Sequence, residues 1–164
     1  MKQKPQNICP CHSNLLFTQC CQPLLLGATV AASPEQLMRS RYSAYSRKNI
    51  KYLLQTWHES TRPKMEKFET GSWIHLEILH ASKVENLNSA IETGTVEFIA
   101  KHISKNSSKY VLTELHELST FERTDGLWCY ISGVIKKNSQ FKIEPKASCP
   151  CKSGKIFKDC HFKL

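Results

Sequence analysis

Near each end of the chain, cysteines recur at a spacing suited to holding a metal ion. Cys9-Pro10-Cys11 is followed after eight residues by Cys20-Cys21, and Cys149-Pro150-Cys151, after the same eight, by Cys160-His161. Laid over one another, the two stretches share three cysteines, the proline, a serine (Ser13, Ser153) and a phenylalanine (Phe17, Phe157). Each copy therefore offers four soft or borderline ligands: Cys9, Cys11, Cys20 and Cys21 in the first, Cys149, Cys151, Cys160 and His161 in the second. Zinc favours four such ligands in a tetrahedron, with thiolate sulfur at about 2.3 Å and imidazole nitrogen at about 2.0 to 2.1 Å. With all four positions filled by protein there is no place for a reactive water, so the reading is two structural Zn²⁺ sites. The proline removes a backbone donor and restricts the turn that presents the first ligand pair.

The competing reading is a redox pair or a disulfide framework, since neighbouring thiols can exchange. The repetition of one spacing disfavours it, and so does His161, which can coordinate but cannot form a disulfide. His12 is a rival ligand in the first unit, but Lys152 stands at its counterpart, so His12 is expected at the surface. Cys129 lies in a strand-like run and is expected as a core thiol. Units this short cannot bury a core that offsets the entropy of ordering them, so each is expected to fold with its metal. Phe17 and Phe157 are expected to cover the apolar side of each site.

These residues resemble the SEC-C motif, known from the tail of the bacterial preprotein translocase ATPase. Doubled around a middle domain, the pattern resembles the YchJ-like family of uncharacterised proteins. The usual C-P-C-G-S-G here carries His12 and Asn14 in place of the glycines. The resemblance runs on through Leu37-Met38-Arg39-Ser40-Arg41-Tyr42-Ser43-Ala44-Tyr45, Thr56-Trp57-His58, Gly94-Thr95-Val96-Glu97-Phe98 and Leu115-His116-Glu117.

The elements between the units follow from periodicity. Ser33, Pro34 and Gln36 form an N-cap, a proline at the first helical position and a capping-box partner. Leu37, Met38, Arg41, Ala44 and Tyr45 then recur at helical spacing, and after Asn49 so do Ile50, Leu53, Leu54 and Trp57. Arg62-Pro63 is expected to close this helical region. From Trp73 the period becomes two: Ile74, Leu76 and Ile78, then Val96, Phe98 and Ala100, then runs over 110–122 and 127–135 joined at the turn pair Asp125-Gly126. The order predicts an α+β domain with helices on one face of a three- or four-stranded antiparallel sheet. The family resemblance implies a cone like that of nuclear transport factor 2, so the chain is expected to divide into 1–23, 24–145 and 146–164.

Such a cone often holds a pocket. Arg39, Arg41, Tyr42, His58, Glu97, His116 and Glu117 are the candidates for lining it, each with a plainer role as helix surface, core, capping residue or satisfied histidine. His116 shares a strand face with Leu112 and Leu118, which predicts an inward orientation. Nothing in the sequence brings His58 or His116 to Glu97. There is no nucleophile elbow, phosphate loop or dinucleotide fingerprint, so a non-catalytic role is favoured and enzymatic use of the cone is the alternative.

Composition sets the remaining bounds. In 164 residues, 40% hydrophobic and 23% charged, there is room for one domain with appendages. The formal charge of +9 is concentrated at the C-terminus, where residues 136–164 carry eight lysines against Glu144 and Asp159, a net of +6. Lys152, Lys155, Lys158 and Lys163 surround the second unit and form a possible docking surface for a protein partner, with nucleic acid or the ribosome as alternatives. The apolar stretch 24–32 is too short to span a bilayer, and eight cysteines suit a reducing compartment, so a soluble cytoplasmic protein is expected. The leading functional reading is a zinc-stabilised adaptor, with export or ribosome-associated chaperoning as a setting by analogy. The alternatives are a small molecule in the cone and nucleic-acid binding by the basic knuckle.

Overall fold

The computed structural model describes residues 7–64, 72–84, 92–106 and 109–162. Its helices are α1 (Gln22–Leu25), α2 (Pro34–Ser46) and α3 (Ile50–Gln55). Its strands are β1 (Ser72–Val84), β2 (Glu92–Asn106), β3 (Lys109–Thr124) and β4 (Leu127–Ile143). They form one antiparallel sheet in the order β1-β2-β3-β4.

The local signals explain most of the boundaries. Ser33 caps α2 by accepting from the Gln36 amide at 3.1 Å, which satisfies one orphan amide of the first turn, and the Gln36 side chain reaches back to accept from the N–H of Ala32, one residue before the cap, at 2.6 Å. The Asn49 side chain caps α3 from the Tyr52 amide. Asp125 and Gly126 have φ of 53° and 80°, the left-handed pair that a two-residue β-hairpin requires.

One expectation needs correcting. The helix expected to run to Trp57, α3, ends at Gln55, before Trp57 and His58, because the chain leaves it to join β4. Tyr130 N–H donates to the Thr56 carbonyl at 2.9 Å and His58 N–H to the Tyr130 carbonyl at 2.8 Å, with Trp57 and Tyr130 forming a parallel bridge. Backbone pairing to a neighbouring strand replaces another helical turn.

Strand register defines two faces. Val96, Phe98 and Ala100 lie opposite Ser119, Glu117 and Leu115 on the face that meets α2. Val96, Phe98 and Ala100 join one buried cluster with Leu37, Tyr42, Leu53 and Leu76, and this cluster also contains Cys9, Cys11, Phe17 and Cys21. On the other face, Ile103 opposes Leu112, and these pack with Ile74, Tyr110, Ile143, Cys149 and Phe157. The two cysteine units thus sit on opposite faces of one sheet, each inside its own apolar cluster.

Candidate metal centres and the central cavity

The two units fold alike although the chain between them is a full domain. Each opens with a β-bridge (Ile8 to Leu16, Ser148 to Ile156) and closes with a single 3-10 turn (Phe17–Gln19, Phe157–Asp159). The Cys9 amide donates to the Leu15 carbonyl at 2.8 Å, and the Cys149 amide to the Lys155 carbonyl at the same distance. The left-handed residues coincide as well: His12 and Lys152 have φ of 59° and 61°, Asn14 and Gly154 of 64° and 76°. Both turns bring four ligand atoms together. In each set, the four lie within 4.8 Å of one another.

The spacing inside each set fits a tetrahedron. Four sulfurs at about 2.3 Å from a central ion stand about 3.8 Å apart. Cys11 and Cys20 sulfurs are 3.6 Å apart, Cys20 and Cys21 3.8 Å, Cys149 and Cys151 3.3 Å, and Cys151 and Cys160 3.6 Å. His161 turns Nδ1 inward, 3.2 Å from the Cys149 sulfur. Burial holds its pKa below the usual histidine value, which leaves the imidazole neutral with a lone pair to offer. The thiols of such a cluster cannot all ionise unaided. Burial first, with the neighbouring thiols, pushes Cys149 up to about 12, and hydrogen bonds from Cys11 and Cys9 drive Cys21 upward. A divalent cation is the natural counter-charge for such a set. Both sets can hold a metal ion.

A second layer supports the sulfurs. Ser13 Oγ lies 3.2 Å from the Cys20 sulfur and Ser153 Oγ 3.3 Å from Cys160, while Ser43 Oγ, from α2, lies 3.6 Å from Cys9. Outer-shell contacts of this kind orient ligands and tune their basicity. The serine shared by the two repeats was the sequence signal for this role, whereas nothing marked Ser43. Phe17 and Phe157 are buried in the cluster beside each unit, Phe17 beneath the Arg47 guanidinium at 3.7 Å and Phe157 against Tyr110.

His12 stays out of the four-cysteine cluster, as expected, but it is half-buried rather than free on the surface. Its Nε2 lies 3.1 Å from the Ile74 carbonyl and its ring packs edge-on against His75, with centroids 4.7 Å apart. The first unit thereby covers a backbone carbonyl of β1, an edge strand of the sheet. From the other face, Lys152 reaches the same strand through a 2.8 Å ion pair with Glu77. Cys129 is half-buried, in a groove below α3.

The expected pocket residues divide. Arg41, Tyr42 and Glu117 line a cavity of about 270 Å³ between α2 and the sheet, together with Tyr45, Trp73 and Tyr130. Arg39 lies elsewhere: it binds Glu35 at 2.8 Å and the Cys11 carbonyl at 3.0 Å, tying α2 to the first unit. His58 turns to Ser60 Oγ at 2.6 Å and toward Glu122 at 3.6 Å. His116 does point to the side of Leu112 and Leu118, but that side faces away from α2. It meets Glu97 there at 2.8 Å, and Lys136 reaches the same carboxylate oxygen at 2.7 Å. Lys136 first, then His116, holds the Glu97 pKa below the carboxylate norm. The inward orientation expected for His116 fails because both faces of β3 carry leucines: Leu115 faces the cavity, while Leu112 packs with the second cysteine unit on the other side.

The docking lysines divide too. Lys155 and Lys158 are exposed, Lys152 is tied to Glu77, and Lys163 lies outside the described residues.

Residues 33–133 match the family described as the middle NTF2-like domain of YchJ. A UPF0225 protein of Pectobacterium carotovorum is 39% identical, over 93% of this chain and 96% of its own length. One from Photorhabdus laumondii is also 39% identical, over 93% and 97%. Two solved structures are similar. A SEC-C motif containing protein from Rhodopseudomonas palustris has a TM-score of 0.63 at 32% identity, covering 79% of this chain and 98% of that one. A second, from Psychrobacter arcticus, has a TM-score of 0.59 at 26% identity, covering 93% of each.

Proposed function

The chain belongs to the UPF0225 family of YchJ-like proteins, and from that premise we propose that it is a non-catalytic, zinc-stabilised adaptor whose C-terminal knuckle docks on an acidic protein in the cytoplasm. The three segments 1–23, 24–145 and 146–164 act in this reading as inner knuckle, scaffold and docking knuckle.

The observation that carries it is the asymmetry of the two knuckles. In the first, Cys9, Cys11 and Cys21 are 3%, 0% and 1% exposed, and the unit is cemented into the main core. In the second, the whole turn 152–156 is exposed, as is Lys158, while Cys149, Phe157 and Phe162 anchor it, the Phe162 ring lying 4.8 Å from that of Tyr110 and its carbonyl accepting from Tyr110 Oη at 2.6 Å. An outward turn bearing Lys155, Ile156 and Lys158 offers positive charge around an apolar side chain, a combination suited to an acidic surface with an apolar recess. Zinc is the ion of this proposal because three or four thiolates with tetrahedral spacing select it over the hard cations. Eight free cysteines fit a reducing compartment. Among the described residues no helix is long and apolar enough to cross a membrane.

The test is in-cell crosslinking with the full, zinc-loaded chain beside the double charge reversal Lys155→Glu/Lys158→Glu. This change leaves the ligands and the Lys152–Glu77 pair intact. The expected result is loss of a discrete crosslinked protein. An unchanged set of crosslinks overturns the docking surface, and crosslinks that vanish on ribonuclease treatment replace the protein partner with RNA.

A further inference from the structure

The cavity between α2 and the sheet carries two opposite charges that do not meet. Arg41 is 2% exposed, its Nη1 donates to the Leu53 carbonyl and to Thr56 Oγ1, each at 2.8 Å, and no carboxylate among the described residues forms an ion pair with it. Its guanidinium stacks on Tyr130 at 4.7 Å and Trp57 at 5.2 Å. Glu117 stands on the opposite wall, on the inner face of β3, where Ser119 Oγ donates to its Oε1 at 2.6 Å. No ion pair within 4.0 Å joins Arg41 and Glu117. Gly133 makes the room for this carboxylate: a Cβ there would lie 2.0 Å from Glu117 Oε1 and 3.0 Å from Tyr130 Oη. Between the two charges the wall is aromatic, with Trp73 packed against Tyr42 at 5.9 Å and Tyr45 at 5.8 Å.

A buried guanidinium that has no carboxylate partner among the described residues is costly to the fold unless an anion reaches it. A purely anionic ligand would meet Glu117, and a purely cationic one would meet Arg41. One class of molecule satisfies both walls. We propose that this cavity binds a small zwitterion of the free amino-acid type, its carboxylate at Arg41, its ammonium at Glu117 and an apolar side chain against Trp73 and Tyr45. The volume of about 270 Å³ lies just under the ~300 to 1,000 Å³ of drug-sized sites, which restricts the occupant to a single small metabolite. The site is independent of the docking surface, since neither Lys155 nor Lys158 lines it.

The test is titration of the full, zinc-loaded chain with free L-amino acids, each paired with its carboxamide and its N-acetyl form, followed by tryptophan fluorescence and amide chemical shifts. At least one apolar amino acid should bind saturably and perturb Trp73. Removing either ligand charge should weaken it by about tenfold or more, as expected when a buried charge loses its partner. Glu117→Gln, which keeps shape and the Ser119 contact, and Gly133→Ala, which displaces the carboxylate, should each give a similar loss with melting temperature as the check on folding. Arg41→Ala is avoided because Arg41 also closes α3. Absence of saturable binding across the set overturns the proposal. So does equal affinity for the amide, or binding that survives Glu117→Gln unchanged.

Discussion

His12 occupies a turn whose backbone is left-handed, where a residue with a Cβ is strained by about 1 to 2 kcal/mol. What it gains in return is the contact with the Ile74 carbonyl and the ring packing on His75, which ties the first knuckle to the sheet edge. The two contributions are separable. His12→Ala keeps the strain and loses the contacts, and should lower stability by about 1 kcal/mol. His12→Gly loses the same contacts but releases the strain, and should unfold about 1 kcal/mol above the alanine variant. Equal melting temperatures for the two would remove backbone strain from the account. At this scale the two clusters able to hold a metal ion were legible, because few side chains bind soft metals and their spacing recurs. The partner of His12 was not, because Ile74 lies 62 positions away and a carbonyl leaves no mark in a sequence.

Among the elements, capping chemistry and period-two alternation set α2, the start of α3 and the strands of the sheet. Two things stayed illegible for physical reasons. The end of α3 depends on pairing with Tyr130, a contact across more than 70 residues, and the inner face of β3 could not be told from the outer because both carry half-buried leucines. The same α3–β4 junction yields a pH prediction. Tyr130 is packed against Trp57 and Phe121, and burial raises its phenol to about 12 from the ordinary value near 10. The folded chain therefore keeps this proton while the unfolded chain releases it. Stability from this group is complete below about pH 10 and is lost as pH rises towards about 12. Denaturant midpoints measured along that interval should fall, and Tyr130→Phe should fall less steeply. A parallel decline in both proteins would assign the slope to other groups, with the buried Tyr42 and Tyr52 the first to examine.

For the molecule as a whole, zinc at both sites, as proposed, would change both charge and cooperativity. Four thiolates with Zn²⁺ carry −2 and three carry −1, so a formal +9 becomes about +6 when both sites are filled. The excess that remains lies towards the C-terminus. The knuckles differ in what they hold. Cys9, Cys11 and Cys21 belong to the cluster that includes Leu37, Tyr42 and Phe98, so loss of the first metal removes a wall of the main core. The second knuckle rests on Tyr110, Ile103 and Ile143 at the opposite face, and its loss leaves that core intact. Cys160→Ser should then lower bound zinc from about two ions per chain to about one while a single cooperative unfolding transition persists. Cys21→Ser should lower zinc by the same amount but broaden or abolish that transition, and near-ultraviolet dichroism should show loss of fixed aromatic packing around Trp73. Equal behaviour of the two variants would mean that the knuckles stabilise the fold equally. The outward one would then be a second cornerstone of the scaffold, and the exposure of Lys155 and Lys158 would have to be explained without a docking role.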